Sequence, residues 1–242
     1  MTIVTAFLFL AWGFCAGIVL SCFRCSGGLF PVDKRSPYTL LSLFFALASF
    51  LFIAPGCLPP LYNTAWGGIA LLGCLFLSVI LERRRHALVP LSLVGMICAV
   101  VWWFAWNRGM PGTSLNLGTF VAIPVWNVVT WSEIPAFLLL SAGFVLAAYQ
   151  FALQEKETLP LISSLRQMAI WALFVTLFLS WNFASHLSWP NLAVASLDFI
   201  FFWVKIFLCV YSFSLLPRCP GALPLSLLFS LLGLMIIHYY MT

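Results

Sequence analysis

Residues 133–157 read EIPAFLLLSAGFVLAAYQFALQEKE, one unbroken apolar run entered at Glu133-Ile134-Pro135 and closed by Glu155, Lys156 and Glu157. A helix of about 20 such residues, rising ~1.5 Å per residue, spans the ~30 Å hydrocarbon core of a bilayer. The same alternation of apolar run and short polar break fills almost the whole chain. Roughly eight such runs are found, at 3–23, 39–58, 64–81, 87–106, 133–153, 167–184, 196–216 and 222–241. The 242 residues are 64% hydrophobic and 7% charged, whereas soluble domains carry about 25% charged residues. This composition cannot cover a water-facing surface. The expected fold is an all-α integral membrane protein of about eight transmembrane helices, forming a single polytopic domain over 1–242.

Charge placement then sets an orientation. Of the 11 basic residues, the first, third, fifth and seventh connections hold Arg24, Lys34, Arg35, Arg83, Arg84, Arg85, Lys156, Arg166 and Arg218. The even connections hold only Arg108, and Lys205 lies inside a span. By the positive-inside rule both termini face away from the cytoplasm. The net charge of +5 is spread over loops between apolar runs, which argues against a nucleic-acid partner. The run Ile3 to Phe23 follows no basic residue and precedes Arg24, so it reads as a retained span and not a signal peptide.

The fourth connection, Asn107 to Ser132, holds Gly109, Pro111, Gly112 and Pro124, then an aromatic segment with Trp126 and Trp131. This predicts a surface loop and a short interfacial helix ahead of the fifth span, with the Trp rings at headgroup depth. Cys15, Cys74, Cys98 and Cys209 lie in apolar runs, where a thiol behaves as a small hydrophobe. Cys22-Phe23-Arg24-Cys25 has CxxC spacing, but no second pair or His partner lies nearby, so no metal site is expected. Nor is there a phosphate-binding glycine loop, a nucleophile elbow or a zinc-protease signature.

The stretch Gly112 to Leu161 carries a resemblance. It contains Ser114-Leu115-Asn116-Leu117, the aromatic segment, the span entered at Glu133, and Ala152-Leu153-Gln154-Glu155-Lys156-Glu157-Thr158-Leu159-Pro160-Leu161. It resembles the membrane subunit of bacterial respiratory complex I that corresponds to subunit 1 of the mitochondrial enzyme. That family has relatives in energy-converting hydrogenases and formate hydrogenlyase. There a GSLNL element precedes the fifth helix, which ends in ALAETNRAPFD. Aligned without a gap, Glu155 falls on the family's Glu and Pro160 on its Pro. Trp203-Val204-Lys205-Ile206-Phe207-Leu208, then Leu216-Pro217-Arg218, is similar to the family's WLKAFL and LPR elements, and Pro224-Leu225-Ser226-Leu227 to its LPLSL.

The departures are equally specific. Arg24 to Pro37 is too short for the family's first cytoplasmic loop. Val100 to Trp106 is apolar or aromatic where the family's fourth helix supplies carboxylates. Thr158 and Ile162 replace the Arg and Asp of the fifth-loop motif, and the long acidic loop shrinks to Ser163 to Gln167. The chain reads as a reduced relative, closer in size and loop content to hydrogenase-type members than to quinone reductases, or divergent from both.

The resemblance implies a non-catalytic subunit of a complex I-like, redox-driven ion pump in a bacterial or archaeal cytoplasmic membrane. It would couple a hydrophilic electron-transfer module to antiporter-like membrane subunits. It would bind no cofactor itself, with iron–sulfur clusters in the partners and quinone left open. Lys205, mid-span, is the first proton-path candidate, because an ionisable group inside a bilayer costs at least ~2.5–3.5 kcal/mol and faces a bundle interior or hydrated path. The plain alternative is a buried charge satisfied by a carbonyl or a subunit contact. Asp198, seven residues earlier, is the second candidate, on the same helix face. Glu155 is a third, and Glu133 a fourth, although Glu133 at a helix N-terminus also suits a purely structural role. Glu155, Lys156, Glu157 and Arg166 are expected to dock a hydrophilic partner, the alternative being a solvated turn. Arg83, Arg84 and Arg85 are expected to anchor the chain at an anionic membrane surface. Two rival functions remain: a structural scaffold without its own proton path, and a stand-alone small-solute or ion transporter. The shortage of ionisable residues in the second, third and eighth spans argues against the transporter.

Overall fold

A computed structural model describes residues 37–51, 67–81, 131–154, 160–179, 192–214 and 222–241. The described residues are helical apart from Leu81 and Leu179 at two helix ends, with no strand among them. They form α1 (Pro37–Leu51), α2 (Gly67–Ile80), α3 (Ile134–Gln154), α4 (Pro160–Phe178), α5 (Leu192–Ser214) and α6 (Ala222–Met241), with a 3-10 turn at Trp131–Glu133 leading into α3. Proline stands in the first turn of four of these: Pro37, Pro135, Pro160 and Pro224. Its missing N–H costs nothing there, because the first four amides of a helix have no intrahelical acceptor.

The helices pack as two close pairs around a central one. α1 pairs with α2, α3 pairs with α6, and α4 touches α1, α3 and α5. Residues 162–178 of α4 are buried on every side. An aromatic seam fixes α4 on α3: Phe144 lies 5.5 Å from Phe174 and 5.9 Å from Phe178 between ring centroids, and Phe137 lies 5.4 Å from Phe178. These are offset and edge contacts, the geometry that the ring quadrupoles favour. α3 and α6 instead meet through small residues. Ser226 donates to the Gly143 carbonyl at 2.8 Å, and Cβ atoms placed on Gly143 or Gly233 would lie only 2.7 Å from Ser230 Oγ or 2.9 Å from Leu140 Cγ.

The polarity of these helices runs inside out. Among the described side chains of α6, Ser226 and Ser230 are buried, as is Gly233, while Leu225, Leu227, Leu228, Leu231, Leu232 and Met235 are exposed. On α1, Ser42, Ala46 and Ser49 are buried, while Leu40, Leu41 and Phe44 are exposed. Ile134–Ala152 is, among the described residues, the segment long and apolar enough by itself to cross a membrane. Tyr38–Ser49, Ile69–Ile80, Ile162–Phe178, Ile200–Ser212 and Pro224–Ile236 are apolar but shorter.

One boundary is corrected. Hydropathy starts the sixth apolar run at residue 167, yet α4 is helical from Pro160. The hydropathy pattern stops short because Ser163, Ser164 and Arg166 are polar, but all three are buried inside the bundle. The expected spans at 3–23 and 87–106, and most of the expected interfacial helix, lie outside the described residues. Of that segment, the turn Trp131–Glu133 is described, with Trp131 exposed.

Candidate functional site

Two cations are attached to α4, one near each end. Arg166, in its second turn, has the largest fully buried side chain among the described residues. Its Nε donates to Ser78 Oγ at 2.8 Å, and its Nη2 donates to Ser42 Oγ at 2.7 Å and to the Ser78 carbonyl. The two serines complete the arrangement themselves. Ser42 Oγ donates to the Ser78 carbonyl at 2.9 Å, and Ser78 Oγ donates to the Ser42 carbonyl at 2.9 Å. Each hydroxyl thus gives its one proton across the α1–α2 interface and accepts one from the guanidinium, within the capacity of a serine. Removing a guanidinium from water costs several kcal/mol unless its donors find good geometry. This node supplies it with acceptors from two neighbouring helices, α1 and α2.

At the other end, Lys205 on α5 donates from Nζ to the Leu179 carbonyl at 2.8 Å, and its ammonium lies 4.6 Å from the Phe201 ring centroid. Leu179 follows directly on the last residue of α4, and its amide still bonds the Val175 carbonyl at 3.0 Å. Its own carbonyl belongs to the set that a helix C-terminus leaves without an intrahelical donor, where the macrodipole is negative. A cation there is stabilised by about 0.3–1 kcal/mol in exposed settings and up to ~2 kcal/mol when partly buried.

The other candidate residues divide as follows. Glu133 closes the 3-10 turn at the N-terminus of α3, half-buried, where the helix dipole favours an anion. The backbone sets Asp198 on α5 seven residues before Lys205, about two turns away; its side chain lies outside the described residues. Glu155, Lys156, Glu157, Arg83, Arg84 and Arg85 also lie outside them. Arg166, expected on a docking surface beside the fifth connection, is instead wholly buried. A side chain with no exposed surface presents nothing for a partner to touch.

Ser42 and Ser78 carried no signal as single residues. Their only trace in the sequence is position: each is a hydroxyl set inside an apolar helix, where such groups bond across helix interfaces. Among the described residues no three His, Cys, Asp or Glu side chains gather as a metal site would need. Comparison of the chain with protein-family models, with curated proteins and with solved structures finds no match.

Proposed function

We propose that the chain is an integral membrane subunit of a complex I-like, redox-driven ion-translocating assembly, with eight spans and both termini on the non-cytoplasmic side. In this reading it couples a peripheral electron-transfer module to antiporter-like subunits, and iron–sulfur clusters reside in those partners. The observation that carries it is the ordered pair of motif stretches, Gly112 to Leu161 and Trp203 to Leu227. Lys205, within the second stretch, sits in an apolar helix and is held at the C-terminal end of α4.

The inside-out polarity of α1 and α6 supports the membrane setting. Exposed leucines around buried serines and glycine would be costly in water, while in lipid small and hydroxylated residues are the ones that let helices approach and bond. Glu155, Lys156 and Glu157 are then the docking cluster, and Lys205, with Asp198, Glu155 and Glu133, the proton-path candidates. A second reading is favoured by a specific observation. Val100 to Trp106 offers no carboxylate, which suits a scaffold that keeps the family frame without its own proton path.

Gentle solubilisation and mass spectrometry of co-purifying proteins tests the assembly. Iron–sulfur and antiporter-like subunits are expected, and a lone stable homo-oligomer overturns the reading. Within the intact complex, Lys205→Ala is expected to abolish ion pumping while assembly persists. Unchanged pumping would leave the scaffold.

A further inference from the structure

An apolar helix buried on all sides is held in register by the shape fit of its side chains, here including the Phe144, Phe174 and Phe178 contacts. A hydrogen-bonded group reaching a neighbouring helix adds a directional constraint against a slide of one residue, about 1.5 Å along the axis. α4 is such a helix over residues 162–178, apart from the polar residues of its first turns and Thr176. Of those polar residues, Gln167 bonds back to Ser163 at 3.2 Å and Thr176 to the Ala172 carbonyl at 2.8 Å, both within α4. Arg166 reaches out of the helix, and it does so through a rigid planar fork whose donors meet Ser42 and Ser78 on two other helices. Such a fork specifies position in a way that leucines cannot. A buried ion is a weak source of net stability, and fixing register is its best-attested use.

We propose that Arg166 is a positioning residue: its clasp on Ser42 and Ser78 sets the axial register of α4, and so the place of the Leu179 carbonyl that holds Lys205. Thirteen residues separate Arg166 from Leu179, about 20 Å of helix, and α4 between them is continuous to Phe178. A shift of one residue at Arg166 would move the carbonyl ~1.5 Å, enough to break a 2.8 Å hydrogen bond. The relevance of this to ion movement rests on the role proposed above for Lys205. The clasp itself does not.

Hydrogen exchange on the full chain in lipid nanodiscs tests the clasp without any partner subunit, so it can fail or succeed independently of the proposed complex. Arg166→Met keeps the bulk and removes the fork; Arg166→Lys keeps the charge and removes the fork. Both are expected to speed exchange about tenfold or more in segments 160–179 and 200–212, reflecting easier local opening. Ser42→Ala with Ser78→Ala, which leaves the cation in place, is expected to do the same to a smaller degree, and serves if an Arg166 variant does not fold. Restoration of slow exchange by Lys would show that charge alone suffices and overturn the proposal. So would faster exchange confined to 160–170, with 200–212 unchanged in the Arg166 variants or in the serine pair.

Discussion

At the scale of single residues, the node of Arg166, Ser42 and Ser78 is one interlocked unit, and its variants should behave as one. Ser78→Ala removes the acceptor of Nε and the donor to the Ser42 carbonyl. Leaving a buried guanidinium N–H without that acceptor costs about 1–3 kcal/mol, while the Ser42 carbonyl, inside α1, keeps its helical bond. Ser42→Ala should cost a similar amount, and the double variant less than the sum, because both changes break one network. Unfolding of the solubilised chain by titrated SDS measures all three. Lys205 should behave differently. Lys205→Met keeps the apolar stem and loses the contacts of the ammonium with the helix-end Leu179 carbonyl and the Phe201 ring, so stability should fall by about 2 kcal/mol. If the same variant stops ion pumping in the assembled complex, the residue's role is chemical and not structural.

At the scale of elements, α3 and α6 meet so closely that glycine is required at their crossing. A Cβ on Gly143 would stand 2.7 Å from Ser230 Oγ and 3.1 Å from the Ser226 carbonyl. Gly143→Ala should therefore destabilise by about 1–3 kcal/mol, the usual range for overpacking. Adding Ser230→Ala removes the nearer obstacle and should restore part of the loss, while the backbone carbonyl keeps the rescue incomplete. A double-mutant cycle in SDS unfolding reads the coupling, and strict additivity would show that the contact is relaxed elsewhere. Elements also show where sequence reading succeeds and where it stops. The expected span 133–153 and the helix Ile134–Gln154 agree closely because the run is predominantly apolar and carries no charge between Glu133 and Glu155. Hydropathy misses the start of α4 because it treats Arg166 as a surface residue. Ser42 and Ser78, 124 and 88 residues away along the chain, supply acceptors that let it lie in the interior.

At the scale of the whole molecule, the proposed membrane setting has its own test. The chain should stay with the membrane fraction under alkaline carbonate extraction, and a cysteine placed at Arg85 should react with an impermeant thiol reagent only from the cytoplasmic side. Release by carbonate would overturn the membrane setting, and labelling from the outer side would overturn the proposed orientation.

Composition and the lengths of the apolar runs by themselves determined that the chain is apolar and its described residues helical, because those properties sum over local residues and need no knowledge of neighbours. The placement of Lys205 inside an apolar helix was legible for the same reason. Which face of each helix turns inward was decided only by the tertiary structure. A hydropathy sum weighs serine against leucine but does not say that serine is inside and leucine outside, as on α6. The pairing of Arg166 with two serines, and of Lys205 with the Leu179 carbonyl, was likewise decided there. Partners distant in sequence are chosen by packing, and packing leaves no local pattern to read.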